Sequence, residues 1–390
     1  MDISIVLPVV NERANLEELV PHLKSVLSRE GLTFEIVIVD GGSTDGTREA
    51  SVELGARVVS ERRKSYAGAI ETGLEEARGD YVLTLDADMS HDPNFVARMW
   101  RARTQGDIVI ASRYVRGGAS HGPLVRKELS RLLNEVHRWV LLMPVRDLSS
   151  GFRLYRRETV EGIRIEGNSF EVQQELLAKA YGRGFSIFEI PFTYFPRGSG
   201  RSHAHLLKLA VGYTRSTFNL RKLRNRPESA DYDERMFYTL RPVRRLLRRR
   251  RHGLITAWAR GSDRTLHVGC GSGIVTQSLN NGIGMDLNFG KLRFLHRYGV
   301  AAVSASADAM PFQDSTFDCL IGSPNIDAAS SNGLREMHRV LRAGGTFIFA
   351  MPRSARSHES IVQKLAQNGF AVEEGPVATY DELITRCRRV

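Results

Sequence analysis

The strongest constraint on this chain is a rhythm that starts at its third residue. Short apolar runs, a few residues long, pass through small and acidic residues into segments of helical periodicity. Residues 3–7, 35–39, 56–59, 81–85 and 108–111 read as strands, and 16–27, 44–54 and 66–77 as helices. Strands alternating with helices in this way point to an α/β architecture. The rhythm lapses near residue 204 and resumes at Thr265, with a strand over 266–268, a glycine loop, a helix and a strand over 284–287. A chain of 390 residues exceeds one ordinary core. The expected organisation is therefore a first domain over 1–205, a basic linker over 206–252 and a second α/β domain over 253–390. The loops of the two halves differ in chemistry, so they are not repeats.

Charge is concentrated between the two patterns. The formal net charge is +11, and Arg244, Arg245, Arg248, Arg249, Arg250 and Arg251 fall within one short stretch. Residues 205–224 and 236–251 mix apolar positions with Arg and Lys in the manner of helices that lie on an anionic membrane surface. No base-stacking motif accompanies the arginines, which argues against nucleic acid. Residues 225–234 read as a polar linker. No run approaches the length of a membrane-spanning helix, and the first residues lead straight into a strand rather than a signal peptide. Cys270, Cys319 and Cys387 form no paired motif, which fits a reducing compartment.

The chemistry of the first half centres on Leu85-Asp86-Ala87-Asp88, at the end of an apolar run. In extended chain, residues two apart face the same way, so Asp86 and Asp88 can meet one hard cation together. Upstream stand Leu7-Pro8-Val9-Val10-Asn11-Glu12 and Val39-Asp40-Gly41-Gly42-Ser43-Thr44-Asp45-Gly46. In the latter, Thr44 or Asp45 could cap the following helix. Downstream come Ala111-Ser112-Arg113-Tyr114, Asp147-Leu148-Ser149-Ser150-Gly151-Phe152-Arg153 and Arg197-Gly198-Ser199-Gly200-Arg201-Ser202-His203. In this order the motifs resemble the family 2 glycosyltransferases of GT-A fold, and within them the polyprenyl-phosphate (dolichol-phosphate) mannose and glucose synthases, over roughly residues 1–205.

That resemblance implies that Pro8, Val10, Glu12, Ile38 and Asp40 contact the donor nucleotide. Asp86, Ala87 and Asp88 would hold Mg²⁺ or Mn²⁺ and the diphosphate. Arg113 and Arg126 would receive an acceptor phosphate, and Arg197 and His203 would close over the donor. Three positions depart from the family pattern. Val10 stands where an aromatic residue is usual, Gly41 where a second Asp is common, and His203 where a Lys is usual. A phosphate acceptor is already ionised and needs arginines more than a base, whereas a hydroxyl acceptor needs a carboxylate, for which Asp147 is the candidate. His91 is at best a neighbour of the metal ligands, and Glu171 and Glu175 read as a solvated helix face.

In the second half, Leu266-His267-Val268-Gly269-Cys270-Gly271-Ser272-Gly273 is a strand entering a glycine loop, where missing side chains allow close ligand approach. Asp286 ends the next strand, and Asp308 follows in Ala307-Asp308-Ala309-Met310-Pro311-Phe312. With Arg339-Val340-Leu341-Arg342-Ala343-Gly344-Gly345, the order resembles class I S-adenosylmethionine-dependent methyltransferases, Rossmann-like in fold. The resemblance implies that Gly269, Gly271, Gly273, Asp286 and Asp308 contact S-adenosylmethionine. Residues 323–328 lack the acidic-His pair frequent in such domains.

The expected function is transfer of a hexose from a nucleotide sugar, GDP-mannose ahead of UDP-glucose, to a polyprenyl phosphate at the cytoplasmic face of a membrane. Two alternatives stand beside it. One is transfer to a glycan hydroxyl with methylation by the second domain; the other is a membrane-associated scaffold with two nucleotide pockets.

Overall fold

The computed structural model describes residues 1–121, 124–195, 206–322, 331–352, 358–379 and 382–390, with backbone alone for 124–126, 206–211, 331, 352 and 358–361. It divides into two compact units, Met1–Arg224 and Asn225–Val390.

The first unit contains β1 (Ile3–Val9), α1 (Arg13–Arg29), β2 (Phe34–Asp40), α2 (Thr47–Glu53), β3 (Arg57–Ser60), α3 (Tyr66–Glu76) and β4 (Tyr81–Thr84). These are followed by α4 (Phe95–Arg101), β5 (Ile108–Ser112), β6 (Ala119–Ser120), α5 (Leu124–Leu141), β7 (Arg153–Arg156), α6 (Val172–Gly182), β8 (Ile187–Pro191), β9 (Thr193–Tyr194) and α7 (Leu206–Arg224). Seven strands form one sheet in the order β3-β2-β1-β4-β7-β5-β8. The first four are parallel, and β7 runs antiparallel to both β4 and β5. Strand β1 is buried along nearly its whole length, as expected of a parallel strand covered on both faces. Helix α1 buries Leu16, Leu19, Val20, Leu23, Val26 and Leu27, a spacing of three and four that puts one apolar stripe on the sheet.

Helix α7 belongs with this unit rather than with a separate linker. Tyr213 donates its hydroxyl proton to the Phe170 carbonyl (2.9 Å), Gln174 bonds Thr217, and the buried Arg224 guanidinium caps the Leu141 carbonyl at the end of α5. The expected cap of α2 is also different. The N-cap is Gly46 in the left-handed region, and Asp45 instead accepts the Thr47 amide (3.0 Å) from just outside the helix.

The second unit contains α8 (Tyr232–Phe237), α9 (Pro242–Trp258), β10 (Thr265–Val268), β11 (Gly282–Asp286), α10 (Phe289–His296), β12 (Ala301–Ser304) and β13 (Phe317–Gly322). Then come α11 (Ser331–Val340), β14 (Leu341–Pro352), α12 (His358–Gln367), β15 (Phe370–Ala378) and β16 (Glu382–Arg389). Its sheet runs β12-β11-β10-β13-β14-β16-β15, with β16 antiparallel to both neighbours. Both units are thus α/β. The stretch 225–234 is no free linker: Glu228, Ala230 and Asp233 bond Asn288 and Ser272 beside the glycine loop.

Candidate active site

In the first sheet β2 and β4 lie on opposite sides of β1, so the strand order reverses there. Open α/β sheets bind ligands outside the carboxyl ends of the strands at such a point. The loops after β1 and β2 are stitched together there. Asn11 donates its amide to Ser43 Oγ (2.9 Å) and its side-chain oxygen accepts the Thr44 amide (2.8 Å); the Glu12 amide bonds Thr47 Oγ1 (3.0 Å). Asp40 closes β2, almost wholly buried, and accepts from the Ser43 amide (3.1 Å) and Arg48 Nη1 (3.1 Å). Burial alone would raise its pKa, but the Ser43 and Arg48 contacts more than reverse that and hold it below the usual carboxylate range.

Val10 and Gly41 turn out to be one feature. A Cβ on Gly41 would lie 2.7 Å from Val10 Cγ2, and Val10 is itself 49% exposed. The departures at these two positions therefore share one piece of space. Pro8 is half-buried at the end of β1. Ile38 is fully buried in the core, so its side chain serves packing, and only its backbone could touch a nucleotide.

Strand β4 ends at Thr84, and Asp86-Ala87-Asp88 lies beyond it in a bend closed by Met89 at φ 60°. The alternation of an extended strand, expected to align the two carboxylates, does not apply there. Neighbouring side chains hold them instead. Tyr66 OH donates to Asp86 Oδ1 (3.4 Å), and Asp88 Oδ1 accepts the Ser90 amide (3.1 Å) and hydroxyl (2.5 Å). Both carboxylates act electrostatically on His91 and on Tyr194. Tyr66 is in turn fixed by Gln173 Nε2 (3.1 Å) and by stacking on Phe170.

The donor set suits a hard cation, because carboxylate oxygens are its preferred ligands. Among the described residues no group of three His, Cys, Asp or Glu side chains converges, so further oxygens would come from a diphosphate and water. His91 serves the backbone. Its Nδ1 accepts the Asp86 amide (3.2 Å), and its ring packs against Phe152 and Phe192. Burial lowers its pKa, keeping it neutral.

Half-buried Arg113 and fully buried Asp147 form a bidentate pair, with Nε and Nη2 each 2.8 Å from a carboxylate oxygen. Asp147 also accepts amides from Arg113, Ser149 and Ser150. Burial pushes the Asp147 pKa up, yet the charge and hydrogen bonds of Arg113 bring it below normal. So engaged, Asp147 has both oxygens committed to Arg113 and to backbone amides. Glu171 and Glu175, expected on a solvated face, are buried and accept backbone amides of residues 166–169. The Arg126 side chain, Arg197 and His203 lie outside the described residues.

The second unit has its own reversal point at β10, between β11 and β13. Gly269, Gly271 and Gly273 all adopt positive φ, a conformation that glycine enters at least cost. Asp286 accepts the Gly271 amide (2.9 Å) and the Asn288 amide (2.8 Å). Asp308 is exposed and lines, with Asp286 and the loop, a cavity of about 700 Å³. His267 is buried against Thr276, and burial depresses its pKa to about 3. Burial likewise raises the Cys270 pKa and keeps that thiol protonated. Residues 323–328 lie outside the described residues.

Comparison with known proteins decides the family. Residues 4–164 match the model of glycosyl transferase family 2. The polyprenol monophosphomannose synthase of Mycolicibacterium smegmatis is 34% identical over 215 residues, covering 51% of this chain and 79% of that protein. The chain belongs to glycosyl transferase family 2. A further relative, the dolichol-phosphate mannosyltransferase of Pyrococcus furiosus, is 36% identical over 211 residues, 52% of this chain. The chain spans 59% of the length of that relative. Residues 266–349, within the second unit, match a methyltransferase domain model. Among solved structures, glucosyl-3-phosphoglycerate synthase from Mycobacterium tuberculosis, in complex with Mn²⁺, uridine diphosphate and glucosyl-3-phosphoglycerate, aligns with 57% of this chain and 80% of its own. The TM-score is 0.48 at 24% identity.

Tyr66, Gln173 and Tyr194 are the site-side residues that sequence reasoning missed. Their signal is weak, because Tyr66 meets Asp86, Gln173 meets Tyr66 and Tyr194 feels both carboxylates from distant segments of the chain.

Proposed function

We propose that the first unit is an inverting transferase moving a hexose, mannose in the favoured case, from a nucleoside diphosphate to a polyprenyl phosphate at a membrane surface. The observation that carries this reading is the placement of Asp86 and Asp88 directly beyond β4, beside the β1 reversal point that Asp40 also borders. The names of the two mannosyltransferase relatives support the sugar and the acceptor.

Asp40, with Glu12 and the backbone around Pro8 and Val10, would take the nucleoside. Asp86 and Asp88, with the Ala87 backbone between them, would hold Mg²⁺ or Mn²⁺. That ion neutralises charge developing on the departing diphosphate. Tyr66 and Ser90 orient the two carboxylates. Arg113 spends Nε and Nη2 on Asp147 and Ser149, which leaves Nη1 to meet the acceptor phosphate, with Arg126 as its partner. Arg197 and His203 would close over the donor. An ionised phosphate attacks without a base, and the commitment of Asp147 to Arg113 weighs against a hydroxyl acceptor.

Docking on a bilayer is supported by an apolar stripe on α5. Leu129, Leu132, Val136 and Trp139 recur at helical spacing and are 44%, 61%, 47% and 65% exposed, with Arg131 and Arg138 on the same helix. Contiguous exposed apolar side chains mark such contacts. No helix among the described residues is long and apolar enough to cross a membrane. The three buried free thiols fit a reducing compartment such as the cytoplasm. The second unit would bind S-adenosylmethionine through its glycine loop, Asp286 and Asp308.

The test is thermal stability of the full chain with GDP or UDP, with and without Mn²⁺. Stabilisation by GDP that requires the metal supports the reading. If no nucleoside diphosphate stabilises the chain under any metal, the reading fails. Sugar transfer that persists unchanged in Asp88→Ala would equally remove the assigned metal site.

A further inference from the structure

The cavity of the second unit is lined by carboxylates as well as cations, and one of its cations, Arg248, forms no ion pair among the described residues. Helix α9 contributes Arg248, Arg251 and His252 to the lining, positions three and four apart and so on one helix face. Arg251 pairs with Glu382, and Lys291 pairs with Asp233 at 3.0 Å. Among the described residues Arg248 makes no ion pair and no hydrogen bond, although it is half-buried. A guanidinium does not shed its proton, and a charge drawn partly out of water without a counter-ion is costly. An anionic ligand would supply that counter-ion, and the planar fork of arginine matches phosphate oxygens.

The outer surface of the same helix narrows the ligand. Arg244, Arg245, Arg249 and Arg250 are exposed there, and so are Val243 (65%) and Leu246 (60%). Such a mixed surface suits an amphiphile whose phosphate enters the cavity.

We propose that this cavity binds a phosphate ester through Arg248, beside the nucleoside cofactor held by Asp286 and Asp308, so that the molecule presented to the second unit is anionic. The cofactor half of this statement rests on the reading given above for the second unit; the phosphate half rests on Arg248. A lipid-linked phosphate and a water-soluble sugar phosphate share the required chemistry, and the lipid-linked form fits the exposed apolar residues of α9.

Hydrogen–deuterium exchange on the full chain separates the two halves, because it reads the second unit apart from any acceptor site in the first. The probes are S-adenosylhomocysteine, farnesyl phosphate in detergent, and mannose 1-phosphate. Farnesyl phosphate is expected to protect α8 and the first half of α9. Arg248→Ala should raise the concentration needed by about tenfold or more, since a charged hydrogen bond is lost, while Arg248→Lys recovers part of the loss. Protection of the glycine loop by S-adenosylhomocysteine should keep its midpoint in both variants. Equal protection by mannose 1-phosphate supports the phosphate site and makes its ligand a soluble ester. If Arg248→Ala leaves the farnesyl phosphate midpoint in place, the proposal is overturned. It is also overturned if the variant shifts only the S-adenosylhomocysteine midpoint, which would give the arginine to the cofactor's carboxylate. Should S-adenosylhomocysteine protect nothing while the phosphate response still depends on Arg248, the phosphate site stands and the cofactor reading falls.

Discussion

The two units place their candidate sites in the same way and furnish them in opposite ways. Each has a sheet whose order reverses at its first strand, β1 in one and β10 in the other, with an aspartate closing the neighbouring strand. Beyond those strands the first unit carries side chains that bond one another: Asn11 to Ser43 and Thr44, Asp40 to Ser43 and Arg48, Asp88 to Ser90. The second carries Gly269, Gly271 and Gly273, which at positive φ contribute no side chains at all, and its loop amides bond Asp286 and Asp233. The fold determines where a ligand can sit, and the loop determines its chemistry. Carboxylates suit a diphosphate only when a cation stands between them, whereas a loop without side chains lets a ligand approach closely without one.

The largest expected effect tests that contrast directly. Asp88→Asn should reduce sugar transfer by about a hundredfold or more, the scale of losing one electrostatic contact to a developing charge. Metal-dependent stabilisation by nucleoside diphosphate should disappear with it, while binding of S-adenosylhomocysteine stays unchanged. Rate assays and calorimetric titration on the same preparation check both. If ligand binding at the second unit also required Mn²⁺, the contrast would be wrong.

Gly273→Val is the counterpart in the second unit. Gly273 sits at φ 76°, and a Cβ there would lie 2.2 Å from Leu295 Cδ1. A β-branched residue faces both an unfavourable backbone and an overfilled core, together about 2–4 kcal/mol. The second unit should lose cofactor binding and melt earlier, with sugar transfer by the first unit retained.

Acid should separate the units next. His267 has its pKa depressed to about 3 by burial, from 6.5. The native state therefore refuses a proton that the unfolded chain takes up below pH 6.5. Stability from this group is complete above pH 6.5 and falls by about 1.4 kcal/mol per pH unit as pH drops toward 3. In the first unit Asp147 has a lowered pKa, so its contribution holds above the ordinary carboxylate value of 3.8 and is lost only as pH falls below that. His91, also depressed by burial, adds some sensitivity below 6.5 in that unit. Asp147→Asn should cost about 2–4 kcal/mol at neutral pH, because it strands the half-buried Arg113 charge. It should also remove part of the acid dependence below pH 4. Unfolding followed separately in the two units across pH 3–8 reads all of this.

Much of this contrast is legible in the sequence, because its parts are local. A strand, the residue that closes it and the loop beyond lie within a dozen positions, so Asp40, the Asp86–Asp88 motif, the glycine loop and Asp286 can be found by reading along the chain. What cannot be read this way depends on distant partners. Strand β7 enters the sheet between β4 and β5 from more than forty residues past β5. Asp147 looks like a loop acid until Arg113 is found against it, and Glu171 and Glu175 look solvated until the loop they hold is folded back on them. Residues 225–234 look like a linker because their partners, Ser272 and Asn288, lie far along the chain. The α5 stripe is visible in the spacing of Leu129, Leu132, Val136 and Trp139, but spacing alone does not distinguish a buried face from an exposed one.

The smallest predicted effect concerns the place where the first unit's loop comes nearest to the second unit's design. Gly41 is a glycine beside a strand end, like those of the second unit, but its reason is space: Val10 Cγ2 occupies the position a Cβ would need. Val10 is about half exposed and can turn away, so Gly41→Ala should be tolerated at a cost of about 1 kcal/mol or less. Because the pair borders the expected nucleoside position, the donor KM should rise a few-fold with kcat unchanged, the mark of a lost uniform binding contact. Val10→Ala in the same chain should return KM toward its starting value, giving a coupling free energy of about 0.5 kcal/mol or more between the two positions. Additive effects would mean that the two residues do not share that space. The expected coupling would place the two family departures in a single adjustment of the donor pocket, made in a loop otherwise stitched by the hydrogen bonds of Asn11, Asp40 and Ser43.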